Sequence, residues 1–202
     1  MPPGRAQPAF PAAVGKVARQ PVLENGGMAP LPAALAGAGL QPWRVWRIDA
    51  EAYAASWDSG LGAELFGGRW NPKGLRAVYC SLDPATCLVE AAVHRGFDVL
   101  DSRPHVLSCL QIDPVSPADP GVRVVLPGDL PNPAWLHGGT PSAGQQRFGA
   151  DLLAAHGAIV LPSAVSKCSW NLVFSPEVAA GRVRLQHQQR LVVDTRLNRL
   201  ID

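Results

Sequence analysis

The stretch Gly67-Gly68-Arg69-Trp70-Asn71-Pro72-Lys73-Gly74-Leu75-Arg76-Ala77-Val78-Tyr79-Cys80-Ser81 decides how this chain is read. Its two leading glycines let a backbone pass close to a ligand or a neighbouring segment. Arg69 follows, and a guanidinium can grip a phosphate or carboxylate with two parallel hydrogen bonds. Trp70 offers a flat wall, and Asn71-Pro72-Lys73-Gly74 makes a tight turn. Ala77 to Ser81 then reads as a strand, with Val78 and Cys80 on one face and Tyr79 on the other. Such a turn is either an ordinary connection with a surface arginine or one wall of a binding site. Tyr79 has the same two readings: a core residue, or a ring packed on a ligand with its hydroxyl kept for a polar partner.

Immediately downstream, Asp83-Pro84 reads as a helix start, with Asp83 as cap and Pro84 in the first position. The helix runs through Leu88, Val89, Ala92 and Val93 and stops at Gly96. Glu90 lies among those apolar residues. A carboxylate there must be paired, exposed or functional. His94, four residues on, is a possible partner.

Upstream, Trp43 to Ile48 alternates as a strand, and Gly60 to Asn71 reads as a glycine-rich loop. Downstream, strands are expected at His105 to Ile112, Val122 to Leu126, Ala158 to Leu161, Ser169 to Phe174, Val183 to Leu185 and Leu191 to Asp194. Gln145 to His156 has helical spacing. Asp129 to Ser142 reads as a Pro/Gly-rich loop holding Trp135, and Ser175-Pro176-Glu177 as the start of one helical turn. About seven strands and three or four helices, not in strict alternation, predict an α+β fold with a mixed, largely antiparallel sheet and flanking helices. Ser163 ends a buried strand, where ligand groups commonly sit. No G-x-S-x-G elbow surrounds it, so it suits hydrogen-bond donation better than nucleophilic attack.

The composition narrows the class. The 202 residues fit one domain with a tail. Residues 1–41 read as a Pro/Gly/Ala-rich arm with one short helix at Pro32-Ala33-Ala34-Leu35-Ala36, and residues 42–202 as the domain. A net charge of +2 without a basic stripe disfavours direct nucleic-acid binding. Cys80, Cys87, Cys109 and Cys168 form no C-x-x-C pair and read as buried free thiols; no metal site is expected. No stretch is long and apolar enough to span a membrane, and Pro2, Pro3, Pro8 and Pro11 interrupt any secretory segment. A cytoplasmic protein is expected. Gly60-Leu61-Gly62-Ala63-Glu64-Leu65 fails the dinucleotide fingerprint at its third glycine position, which disfavours a Rossmann site.

Taken in order, these segments resemble the RES-domain family. The matching pieces are Trp46-Arg47-Ile48, Gly67 to Pro72 with Gly74, Val78-Tyr79 with Ser81, Leu88-Val89-Glu90 with His94, Leu161-Pro162-Ser163, Asn171-Leu172-Val173 with Pro176, and Asp194 with Arg196-Leu197. Together they cover roughly residues 43 to 197. The family takes its name from an arginine, a glutamate and a serine, matched here to Arg69, Glu90 and Ser163. Phe174-Ser175-Pro176 departs from the expected Asn-Pro pair.

The resemblance implies an ADP-ribosyltransferase-like fold of the diphtheria-toxin type. It also implies a bacterial toxin that consumes NAD+ and is neutralised by an Xre-type helix-turn-helix antitoxin. Glu90 would stabilise the oxocarbenium-like state as the nicotinamide–ribose bond breaks. Arg69 would hold the pyrophosphate, Tyr79 would stack on nicotinamide, and Ser163 would fix the amide or ribose. Arg47, Gly68, Asn71 and Asn171 are expected to help hold the dinucleotide. The leading expectation is transfer of ADP-ribose to a protein. The alternative is an NAD+ glycohydrolase or phosphorylase, with water or phosphate as acceptor. A reading of another class is an inactive binding module that regulates transcription with its antitoxin.

Overall fold

Trp43 and Val45 turn toward one apolar layer, Trp46 and Ile48 toward another. A segment that is apolar on both faces belongs inside a sheet, and Trp43–Ala50 forms strand β1 there. The computed structural model describes residues 27–36, 41–113, 122–177 and 181–193. The remaining strands are β2 (Val78–Ser81), β3 (His105–Ile112), β4 (Arg123–Val124), β5 (Ala158–Pro162), β6 (Trp170–Phe174) and β7 (Val183–Leu191). Their order across the sheet is β4-β5-β6-β2-β1-β3-β7. All neighbours are antiparallel except the β4–β5 pair. The helices are α1 (Leu61–Phe66), α2 (Pro84–Arg95), α3 (Phe97–Ser102) and α4 (Ala143–His156). The chain thus has the α+β fold with a mixed, largely antiparallel sheet that its sequence predicts.

The two sheet faces are covered differently. On one, Trp43, Val45, Val78, Cys80, Leu110, Val160 and Leu172 form a single core. Residues 27–36 help to close it. Met28 is buried in it, Leu31, Ala34 and Leu35 pack on it, and the Trp170 indole donates to Ala29 O at 2.7 Å. On the other face the core is divided. Ile159, Leu161, Val173 and Tyr79 lie with α4, whereas Trp46, Ile48 and Leu107 lie with α2 and α3. The seam between those two halves falls where β2 meets β1.

Local chemistry fixes α2, whose last residues reach that seam. Asp83 Oδ1 accepts from Thr86 N at 2.7 Å, Pro84 occupies the first turn, and Gly96 ends the helix at φ 85°. Several expectations need correction. The Gly60–Asn71 segment is not all loop, because Leu61–Phe66 is helical between Gly60 and Gly67. A further helix, Phe97–Ser102, follows Gly96. The two closing strands are one, Val183–Leu191, and Arg123–Val124 is shorter than expected. Cys168 is exposed, whereas Cys80, Cys87 and Cys109 are buried thiols. The Pro32 segment makes a turn, closed by Leu35 N and Ala36 N on Pro32 O. The rest of the predicted arm (residues 1–26 and 37–40) and the closing Asp194, Arg196 and Leu197 lie outside the described residues. No helix among the described residues is long and apolar enough to cross a membrane.

Candidate active site

β1 and β2 pair at one register position, Trp46 opposite Ser81, and then part. A carbonyl left without a ladder partner needs another donor. Arg47 supplies one: its Nη1 donates to Tyr79 O at 3.0 Å. The rest of the guanidinium forks onto Asp49, with Nε at 2.8 Å and Nη2 at 2.6 Å. Burial alone would lower the arginine's pKa, but the adjacent Asp49 carboxylate outweighs it and the net shift is upward.

A cavity of about 300 Å³ opens at this parting of the strands. Arg47, Tyr79, Ser81, Glu90, His94, Arg95 and Asn171 line it, together with the segment Gly60 to Ala63. Glu90 enters from α2. Its Oε1 accepts from Ser163 Oγ at 2.7 Å and from Asn171 Nδ2 at 2.5 Å, while Oε2 faces His94 Nε2 at 3.6 Å. Asn171 is oriented in turn, because its Oδ1 accepts from Ser81 Oγ at 2.7 Å. Burial would raise the Glu90 pKa, yet the facing His94 and the hydrogen bonds from Ser163 and Asn171 bring it below its ordinary value. The result is an ionised carboxylate, aimed by three side chains, in a partly enclosed cavity.

Ser163 is behind Glu90 and does not line the cavity. Its hydroxyl donates to Glu90 and accepts from Val165 N at 3.1 Å and Ser166 N at 2.8 Å. A hydroxyl has one donor and two acceptor sites, so this one is fully used. Any effect of Ser163 on a ligand therefore passes through the carboxylate.

The Gly67–Asn71 turn is pinned from inside. Asn71 is fully buried, and its Nδ2 lies within 3.0 Å of Ala63 O, Pro72 O and Leu75 O. Tyr79 OH donates to Asn71 Oδ1 at 2.6 Å and accepts from Trp70 N at 3.0 Å. Gly68 passes so close to these two side chains that a Cβ would strike both Tyr79 OH and Asn71 Oδ1. Trp70 is not the ligand wall the sequence suggests. Its ring is buried against Trp135 and Phe148, with Gly149 packed on its backbone. Arg69 is not among the residues that line the cavity; its Nη1 donates to Trp135 O and His137 O at 3.2 Å each.

Of the residues singled out from sequence, the cavity thus gathers Arg47, Tyr79, Glu90 and Asn171. Ser163 and Asn71 support it from behind, Gly68 gives the turn its close passage, and Arg69 lies to one side. Ser81, His94 and Arg95 also line it. His94 was legible only as a possible partner of Glu90. Arg95 carried no signal beyond its position in the last turn of a helix.

A mixed, largely antiparallel sheet whose β1 and β2 part beside an oriented carboxylate defines the class: an α+β domain with a cleft at that parting. The RES domain matches residues 44–194, and the chain belongs to that family. It is 28% identical over 149 residues to "Toxin Res" of Yersinia enterocolitica, covering 73% of this chain and 93% of that one. It is 35% identical over 88 residues to the "Prs ADP-ribosylating toxin" of Sphingobium sp., covering 43% of this chain and 53% of that one. The fold is similar to a chain of the M. tuberculosis MbcT–MbcA toxin–antitoxin complex. That likeness has a TM-score of 0.62 at 20% identity, over 76% of this chain and 86% of the other. The protein is accordingly a RES-domain protein.

Proposed function

We propose that this protein is a toxin that binds NAD+ in the cavity beside Glu90, breaks the nicotinamide–ribose bond and transfers ADP-ribose to a protein. The observation that carries this reading is the Glu90 carboxylate, held ionised by Ser163 and Asn171 and open to the cavity. In NAD+ the positive charge sits on the pyridinium. As the glycosidic bond lengthens, nicotinamide departs with the bonding electron pair and the charge moves to the ribose ring. A fixed carboxylate favours that second arrangement over the first. The acceptor then attacks C1′ and gives up a proton. The cavity volume of about 300 Å³ suits enclosure of the reacting ribosyl-nicotinamide, with the adenosine half outside.

Transfer to a protein is favoured by the rim. Leu61, Leu65 and Phe66 on α1 and Val93 on α2 are exposed, on helices whose inner residues line the cavity. An apolar rim of this kind suits a protein more than water. The name of the Sphingobium relative points the same way. An antitoxin carrying an Xre-type helix-turn-helix domain is the proposed partner, and the cytoplasm, where NAD+ is abundant, the proposed compartment.

Incubation with labelled NAD+ and a cell lysate tests the reading. Label on one protein band is the expected result. Free ADP-ribose or its 1-phosphate would make the acceptor water or phosphate instead. No consumption of NAD+, with harmless expression in the absence of an antitoxin, would overturn the enzyme reading and leave a binding module.

A further inference from the structure

Two arginines line the cavity with Glu90, and they are not equivalent. Arg47 is committed to protein partners, with one fork on Asp49 and the remaining nitrogen on Tyr79 O. The Arg95 side chain makes no hydrogen bond or ion pair within the described residues. The residue is exposed, and partial desolvation together with the nearby Arg47 lowers its pKa, only partly offset by Asp49.

The ordinary account of a basic residue there is the helix macrodipole. His94 and Arg95 both lie in the last turn of α2, where cations are favoured. That account needs only solvent around the side chain and gives no reason for it to line a cavity. The spacing from Glu90 supplies one. Five residues separate Glu90 from Arg95, about 7.5 Å along a helix axis. This is close to the reach of one pentose with its 5′ oxygen. Both side chains line the same cavity, so a ligand held at Glu90 that extends by one sugar toward the end of α2 meets Arg95.

We propose that Arg95 grips the pyrophosphate of the dinucleotide and makes the site select phosphorylated over unphosphorylated nucleosides. This rests on the NAD+ reading above and deepens it. Arg69, the residue that the resemblance puts on the pyrophosphate, is turned toward Trp135 O and His137 O. Arg95 lines the cavity with Glu90, as Arg69 does not, and its guanidinium can fork onto two phosphate oxygens.

The test compares wild type, Arg95→Gln and Arg95→Lys. Calorimetric titration with ADP, which carries the pyrophosphate but no scissile bond, should show roughly tenfold weaker binding in the glutamine variant. Lysine should restore part of it, since it keeps the charge but not the fork. With NAD+, KM should rise by a similar factor while kcat changes by less than about twofold. Inhibition by nicotinamide, which has no phosphate, should be unchanged. A merely dipolar role would leave ADP binding and KM alone. Wild-type ADP affinity in Arg95→Gln, or an equal loss of nicotinamide inhibition, would overturn the proposal. The two readings separate cleanly. If wild type consumes NAD+ but the variant binds ADP normally, the function stands and the role of Arg95 falls. If ADP binding depends on Arg95 but NAD+ is left intact, the reverse holds.

Discussion

The Ser163 hydroxyl donates to Glu90 Oε1 at 2.7 Å, joining two residues 73 positions apart. Asn171 Nδ2 reaches the same oxygen at 2.5 Å. Two donors on one oxygen concentrate the carboxylate's orientation there and leave the other oxygen toward His94. Glu90→Gln keeps the shape and an acceptor oxygen for both donors but removes the charge. NAD+ turnover is expected to fall by about 100-fold or more, as when a preorganised electrostatic stabiliser is removed. Thermal unfolding should show only the modest loss that follows from removing a carboxylate whose pKa folding lowers. Normal turnover in a folded Glu90→Gln protein would refute the mechanism.

Tyr79→Phe separates the ring from the hydroxyl. The ring lines the cavity, whereas the hydroxyl holds Trp70 N and Asn71 Oδ1. Burial raises the phenol's pKa, so it stays protonated and is no general base at neutral pH. Deleting the oxygen strands one buried donor and one buried acceptor, at a cost of about 1–3 kcal/mol. The expected result is a lower Tm with a modest rise in KM. A large fall in kcat at unchanged stability would assign the hydroxyl to the chemistry instead.

Gly68→Ala should disturb the same clamp from the other side. The added Cβ would meet Tyr79 OH and Asn71 Oδ1, both held by hydrogen bonds, so the turn has to shift. Overpacking of this kind costs about 1–3 kcal/mol. Gly62→Ala, where a Cβ meets nothing within 4 Å, should not lower the melting temperature. Equal melting curves for the two variants would mean that the clamp is soft.

The sequence made the frame legible where the signals are local. The Asp83 cap, Pro84 and Gly96 bound α2 because caps and stops act within one turn. Val78, Cys80 and Tyr79 fall on opposite faces as the period of a strand requires. Glu90 stood out because a carboxylate among apolar helical residues has few ordinary uses. What failed was mostly glycine and solvent. Gly60 and Gly67 flank a six-residue helix where the density of glycines predicts a loop. β7 is an exposed edge strand with the polar run Gln186-His187-Gln188-Gln189-Arg190, so no apolar alternation marks it. Arg69 and Trp70 looked like ligand contacts because those residue types often are. Their side chains are instead held by Trp135 and its loop, a contact 66 residues away for Arg69 that no local pattern encodes.

Ser163→Ala tests how far the pH dependence of the site is set from behind. In the folded protein Glu90 lies below its ordinary pKa of 4.5, because the facing His94 and the donors Ser163 and Asn171 outweigh burial. A carboxyl depressed on folding contributes stability above its unfolded pKa and loses it as pH falls through the folded one. Glu90 should therefore stay ionised down to its ordinary pKa of 4.5, and the acid limb that its protonation sets in kcat/KM should lie below that value. Ser163→Ala removes one donor and leaves burial in place, so the acid limb of kcat/KM should move upward. The same change takes the acceptor from Val165 N and Ser166 N, costing about 1–3 kcal/mol of stability. Other carboxylates titrate in this range too, so Glu90→Gln serves as the reference for unfolding. The stability difference between wild type and Glu90→Gln should shrink as pH falls below 4.5, and at higher pH in the Ser163→Ala background. An acid limb that stays in place after Ser163→Ala would mean that Asn171 and His94 alone hold the carboxylate.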